Sequence, residues 1–205
     1  MDLKHYASRY IQPGAIRRSG WRDAIVGRLL ADGAAVLDIG CASGAFAEKW
    51  ADRKIRYSSV DYNGILVDHC RAKGFDAHRV DLSTEPLPFK DASFDFAYCS
   101  HVLEHLLSNQ QIALFSEIAR VMKPGGKLFL LTPTPYSWYF WDDPTHQRPS
   151  THGSLEHLCR DAGLDPAQAR YSLVRLFPQS LQKWLRLPPL RWFLWETYVI
   201  ATKQK

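Results

Sequence analysis

Three aspartates stand out by where they fall. Asp38 sits inside the apolar run Ala35-Val36-Leu37-Asp38-Ile39, Asp61 closes Tyr57-Ser58-Ser59-Val60-Asp61, and Asp81 follows Asp76-Ala77-His78-Arg79-Val80. Each run has the length and character of a strand, so three carboxylates are expected at the ends of three successive strands. Such a group can hold a cationic head group, accept hydrogen bonds from a pair of hydroxyls, or take an amino proton. Gathered at one sheet edge, the three describe a single crevice of the kind in which open α/β sheets bind ligands.

The turn after Asp38 reads Gly40-Cys41-Ala42-Ser43-Gly44. Glycine lets the backbone approach a ligand closely, and the helix expected from Ala45 to Trp50 presents free N–H groups there. The spacing is not G-x-G-x-x-G, and an acid so near the turn suits a cation better than a pyrophosphate. Asp61 can accept from both hydroxyls of a ribose, and Tyr62 beside it can cover one face of an adenine ring. Asp81 can take the adenine amino proton while the Leu82 N–H meets a ring nitrogen.

Two further stretches carry imidazoles. His101-Val102-Leu103-Glu104-His105 fits H-x-x-E-H, a zinc-peptidase pattern that would place His101 and His105 on one helix face with Glu104 as base. No downstream acid-rich helix offers a third ligand, so no metal is expected, and His105 is read as structural. Trp141-Asp142-Asp143-Pro144-Thr145-His146-Gln147-Arg148 holds a candidate base in His146 and a candidate anion contact in Arg148.

The elements that must position these residues follow from periodicity. Strand-length runs alternate with helix-length stretches, the mark of a parallel sheet covered by helices. Beyond the three strands above, strands are predicted at 93–99, 127–131, 171–177 and 197–202. Helices are predicted at 64–73, 109–122 and 151–160, with one or two more in the first thirty residues. Lys123-Pro124-Gly125-Gly126 should stop the longest helix.

The chain has 205 residues, 46% hydrophobic and 23% charged, the size and balance of one globular α/β domain. The net charge is +5 and the pI about 9.0, but Lys and Arg are scattered, so nucleic acid is not expected as a partner. No apolar run reaches the roughly 18 residues of a membrane span, and Met1 to Tyr6 lacks a signal-like core. The four cysteines are far apart, which fits reduced thiols in the cytoplasm.

These motifs together resemble the class I S-adenosylmethionine-dependent methyltransferases from about Trp21 to Lys203. Asp38 to Gly44 is similar to the family's first motif, Asp61 to its ribose-binding acid, and Asp81-Leu82 to its adenine-binding pair. Leu87 to Asp95 and Arg120 to Gly126 resemble the approaches to its fourth and fifth strands. Ser43 departs from the glycine often found in the first motif.

The resemblance implies a Rossmann-like α/β fold: a mostly parallel seven-stranded sheet in the order 3-2-1-4-5-7-6, with helices on both faces and the seventh strand antiparallel. It implies S-adenosyl-L-methionine as cofactor, held by Asp38, Gly40, Cys41, Gly44, Asp61, Tyr62, Asp81, Leu82 and Ser100. His101 and His146 would then face the acceptor as catalytic candidates. A small-molecule, lipid-linked or glycan acceptor is expected.

The domain expectation is one unit over 1–205, with a helical segment at 1–30 and insertions at 132–150 and 178–196. The second insertion carries Trp184, Trp192 and Trp195 among Lys183, Arg186 and Arg191. It could form a lid, a homodimer contact, or a peripheral contact at the inner face of a membrane. The alternative from another class is a non-catalytic adenosyl- or nucleotide-binding module that regulates a partner.

Overall fold

The structure, a computed structural model, describes residues 3–11, 20–171 and 194–204. Seven strands form one sheet: β1 (Ala35–Ile39), β2 (Arg56–Asp61), β3 (Asp76–Arg79), β4 (Phe94–Ser100), β5 (Met122–Pro133), β6 (Leu164–Tyr171) and β7 (Glu196–Lys203). Their order is β3-β2-β1-β4-β5-β7-β6. β7 pairs antiparallel with both its neighbours, and the other pairings are parallel. This is the architecture expected from the sequence.

Seven helices accompany the sheet among the described residues: α1 (Leu3–Ile11), α2 (Gly20–Leu29), α3 (Ala45–Lys49), α4 (Gly64–Ala72), α5 (Ser108–Val121), α6 (Trp138–Asp142) and α7 (His152–Asp161). They serve both faces. On one, Phe115 and Ile118 of α5 and Leu155 of α7 pack against Leu37, Ile39, Leu128 and Leu130. On the other, Ile25 and Val26 of α2 pack against Val36, Phe96, Phe129 and Tyr198. The central strand β1 is buried at all five positions, as a strand covered on both sides must be. Truncating a ring such as Phe129, fully buried between Tyr98 and Tyr198, should cost about 3–5 kcal/mol.

Two elements differ from the sequence expectation. The sixth strand is Leu164–Tyr171, ahead of the predicted 171–177, of which 172–177 lies outside the described residues. Its sequence alternates poorly because it is an edge strand, and the register slips between Pro166 and Gln168, where a proline is tolerated. The fifth strand begins at Met122, so Lys123-Pro124-Gly125-Gly126 joins it as an irregular start. Pairing jumps there from Phe94↔Met122 to Phe96↔Lys127.

Candidate cofactor and acceptor site

A cleft of about 1320 Å³ opens at the carboxyl ends of β1, β2 and β4. Asp38, Gly40, Cys41, Asp61, Tyr62, Asp81, Leu82, Ser100 and His101 all line it, together with Arg22 of α2 and Leu3, Tyr10 and Ile11 of α1.

The turn after β1 is pinned to β2. The N–H groups of Gly40 and Cys41 both donate to the Val60 carbonyl, at 2.9 and 3.2 Å. The Ala42 N–H donates to Asp61 Oδ2 at 2.9 Å, and the Asn63 N–H to Oδ1 at 2.8 Å. Gly40 has φ +77, and a Cβ there would lie 2.2 Å from Val102 Cγ2, so both conformation and space demand glycine. Gly44 does not line the cleft. Its φ is +79 and a Cβ would meet the Phe75 ring at 2.9 Å, so its part is in packing.

Electrostatics set Asp38 apart. Burial pushes its carboxyl up to about 7, the Tyr57 hydroxyl donating at 2.8 Å pulls it back, and the charge of Asp61 raises it again. Asp61 is also raised by burial, against the opposing hydrogen bonds from Asn63 and Ala42. Two acids held against their ionised forms are poised to gain from a cationic or hydroxyl-rich ligand. Arg22 completes this region. One of its terminal nitrogens donates to Glu196 Oε1 at 3.2 Å, while its buried Nε has no partner among the described residues.

The cleft's other end is made by the segment after β4. His101 takes a left-handed backbone, φ +57, and its N–H donates to the Leu131 carbonyl. Its ring Nδ1 lies 3.1 Å from Glu104 Oε1 and its Nε2 3.1 Å from Glu196 Oε1. Desolvation lowers the imidazole's proton affinity, but the bonds to Glu104 and Glu196 outweigh it and hold the pKa at about 9. His101 is therefore an imidazolium near neutral pH, and proton abstraction is not among its uses there.

The peptidase geometry does not form. Only Leu103–His105 is helical, as a single 3-10 turn, and both ring nitrogens of His101 are engaged by carboxylates. His105, read as structural from sequence, lines the cleft with Thr145 and Leu106. His146 does not line it. Its ring packs edge-on against His105, centroids 4.8 Å apart.

Sequence reasoning missed Arg22, Glu196, Tyr57 and Asn63. Asn63 caps α4 by accepting from the Ile65 N–H, and its side-chain amide donates to the Leu3 carbonyl, which ties α1 to the cleft. An Asp-x-Asn after a strand was a readable capping signal. The others carried none.

The sheet order and the strand-end acids define a Rossmann-like methyltransferase fold. A solved structure of a TehB-like S-adenosylmethionine-dependent methyltransferase from Corynebacterium glutamicum superposes with a TM-score of 0.73 at 18% identity, covering 98% of each chain. Residues 37–130 match the family model described as a methyltransferase domain. A probable S-adenosylmethionine-dependent methyltransferase of Mycolicibacterium smegmatis is 33% identical over 164 residues, 75% of this chain and 62% of that protein. A ubiquinone biosynthesis O-methyltransferase of Xanthomonas oryzae pv. oryzae is 34% identical over 115 residues, 54% of this chain and 47% of that protein. The chain thus spans about half to three-fifths of the length of these relatives.

Proposed function

We propose that this chain transfers the methyl group of S-adenosylmethionine to a small-molecule, lipid-linked or glycan acceptor. The observation that carries this reading is the convergence of Asp38, Asp61 and Asp81 on one cleft. The cleft's residues fit that cofactor. Asp38 suits the ammonium, and the partnerless Nε–H of Arg22 suits the carboxylate. Asp61 keeps free lone pairs for the ribose hydroxyls, Tyr62 is half-exposed beside it, and Asp81 with the Leu82 N–H suits the adenine edge.

When bound, the cofactor supplies a methyl group already activated by its sulfonium. The protein's own task is alignment and exclusion of water. Gly40 and Ser100 bring backbone close to the reacting end, and Val102 and Leu106 provide apolar walls. His101, fixed between Glu104 and Glu196, can donate a hydrogen bond to a bound acceptor after a small turn of its ring. His146 acts by buttressing His105. Similarity to the ubiquinone biosynthesis O-methyltransferase of Xanthomonas oryzae pv. oryzae supports an oxygen acceptor on a small molecule.

The membrane and homodimer readings fall on 178–196, of which 178–193 lies outside the described residues. Among the described residues, no helix is long and apolar enough to cross a membrane.

Isothermal calorimetry tests the reading. The protein should bind S-adenosylhomocysteine and not NAD. Binding of NAD without the adenosyl ligand would overturn it, and turnover of labelled cofactor with cell extract would separate an enzyme from a binding module.

A further inference from the structure

Glu104, His105 and His146 each place one potential ligand atom within 4.8 Å of the other two. We infer that these three residues form a binding site for a divalent first-row transition metal, with zinc the best fit. The set differs from the peptidase pattern in sequence, because both ring nitrogens of His101 are engaged by carboxylates and His146 takes its place from the loop after β5.

The loop is brought there by backbone. The N–H groups of Gln147 and Arg148 both donate to the Glu104 carbonyl, at 2.7 and 3.2 Å. That pair locks the segment after β5 onto the turn after β4 and sets His146 against His105.

The orientation of the imidazoles is a second, independent observation. His146 Nδ1 lies 2.9 Å from the Phe140 carbonyl, which can only accept, so Nδ1 carries the proton. His105 Nδ1 lies 3.3 Å from the Thr145 carbonyl and 3.1 Å from the Thr145 hydroxyl. That hydroxyl donates to Asp143 Oδ1 at 2.6 Å, so it too accepts from His105. In both rings Nε2 is left with its lone pair. Metal-bound histidines are held in this way, with the outer nitrogen bonded to a carbonyl.

The carboxylate is prepared in the same fashion. Glu104 is fully buried, with Oε1 beside the His101 ring and Oε2 accepting from Thr132 at 3.0 Å. Each oxygen retains a lone pair for a cation. Two imidazoles and one carboxylate favour zinc, iron, cobalt or manganese over magnesium or calcium. Metal–ligand bonds of about 2.0–2.2 Å require ligand separations of roughly 3–4 Å, so small side-chain rotations would close the site.

His105 and Thr145 line the cleft, so open coordination positions would face its acceptor end. A role for the metal in holding an acceptor oxygen rests on the methyl-transfer reading. Metal binding does not, and it can be measured without an acceptor.

The test is calorimetry of the metal-stripped full chain with zinc chloride, with magnesium chloride as comparison. Wild type should bind one zinc per chain and melt at higher temperature with zinc present. His146→Ala and His105→Gln should each weaken zinc binding at least tenfold and lose the thermal shift, while S-adenosylhomocysteine affinity of His146→Ala stays within about twofold. If the wild type binds no zinc, or the two variants bind it as the wild type does, the site does not exist. Failure of S-adenosylhomocysteine binding in every protein would instead strike the methyl-transfer reading.

Discussion

His101 Nε2 lies 3.1 Å from Glu196 Oε1, a carboxylate 95 residues further along the chain. Glu196 opens β7, whose antiparallel register sets it opposite Pro133 of β5, and the His101 N–H is bonded to Leu131 of the same strand. One strand insertion therefore delivers a counter-charge to the cleft, shared between His101 and Arg22.

Asp61→Ala should weaken S-adenosylhomocysteine binding by about ten- to a hundredfold, or roughly 1.5–3 kcal/mol, since hydrogen bonds to a charged acceptor are lost. The same change frees the Ala42 and Asn63 N–H groups, so a modest fall in melting temperature should accompany it. Calorimetry and thermal melts together check this, and unchanged affinity would reduce Asp61 to a loop-pinning acid.

Affinity should also depend on pH through Asp38. Its folded pKa of about 7 stands above the ordinary 3.8, so in the free protein the group favours the fold below about 4 and loses that contribution as pH rises through 7. A ligand ammonium needs the ionised form. Binding should therefore be about tenfold tighter at pH 8 than at pH 6, with a proton released on binding at pH 6. Calorimetry in buffers of different ionisation enthalpy measures that proton, and Asp38→Asn should flatten the profile.

Gly40→Ala should be among the most damaging single changes in the cleft. It sets a methyl 2.2 Å from Val102 Cγ2 and forces φ +77 on a residue with a side chain. The cost expected is about 1–3 kcal/mol of stability from the clash and a similar sum from strain. Adding Val102→Ala should recover the first part only, as denaturant midpoints would show.

Arg22→Met keeps the bulk of the side chain and removes its charge. It should weaken S-adenosylmethionine binding about tenfold or more while leaving adenosine binding unchanged, because adenosine has no carboxylate. Equal losses for both ligands would mean that Arg22 serves the fold alone.

Much of this protein was readable residue by residue. The apolar runs ending at Asp38, Asp61 and Asp81 marked three strands and their crevice, since strand length and period are local properties of the chain. The helices at Gly64, Ser108 and His152 were readable for the same reason. The sixth strand was not, because Leu164–Tyr171 is an edge with only its two ends buried.

The acceptor end belonged to tertiary structure. That His101 is an imidazolium follows from Glu104 and Glu196 together, and nothing around residue 196 announces a partner at residue 101. That His105, and not His146, lines the cleft follows from two backbone hydrogen bonds to Glu104. Periodicity tells which face of an element is buried. Which distant charges meet is decided when β7 inserts and the loop after β5 folds back, by closures of the chain that leave no local pattern.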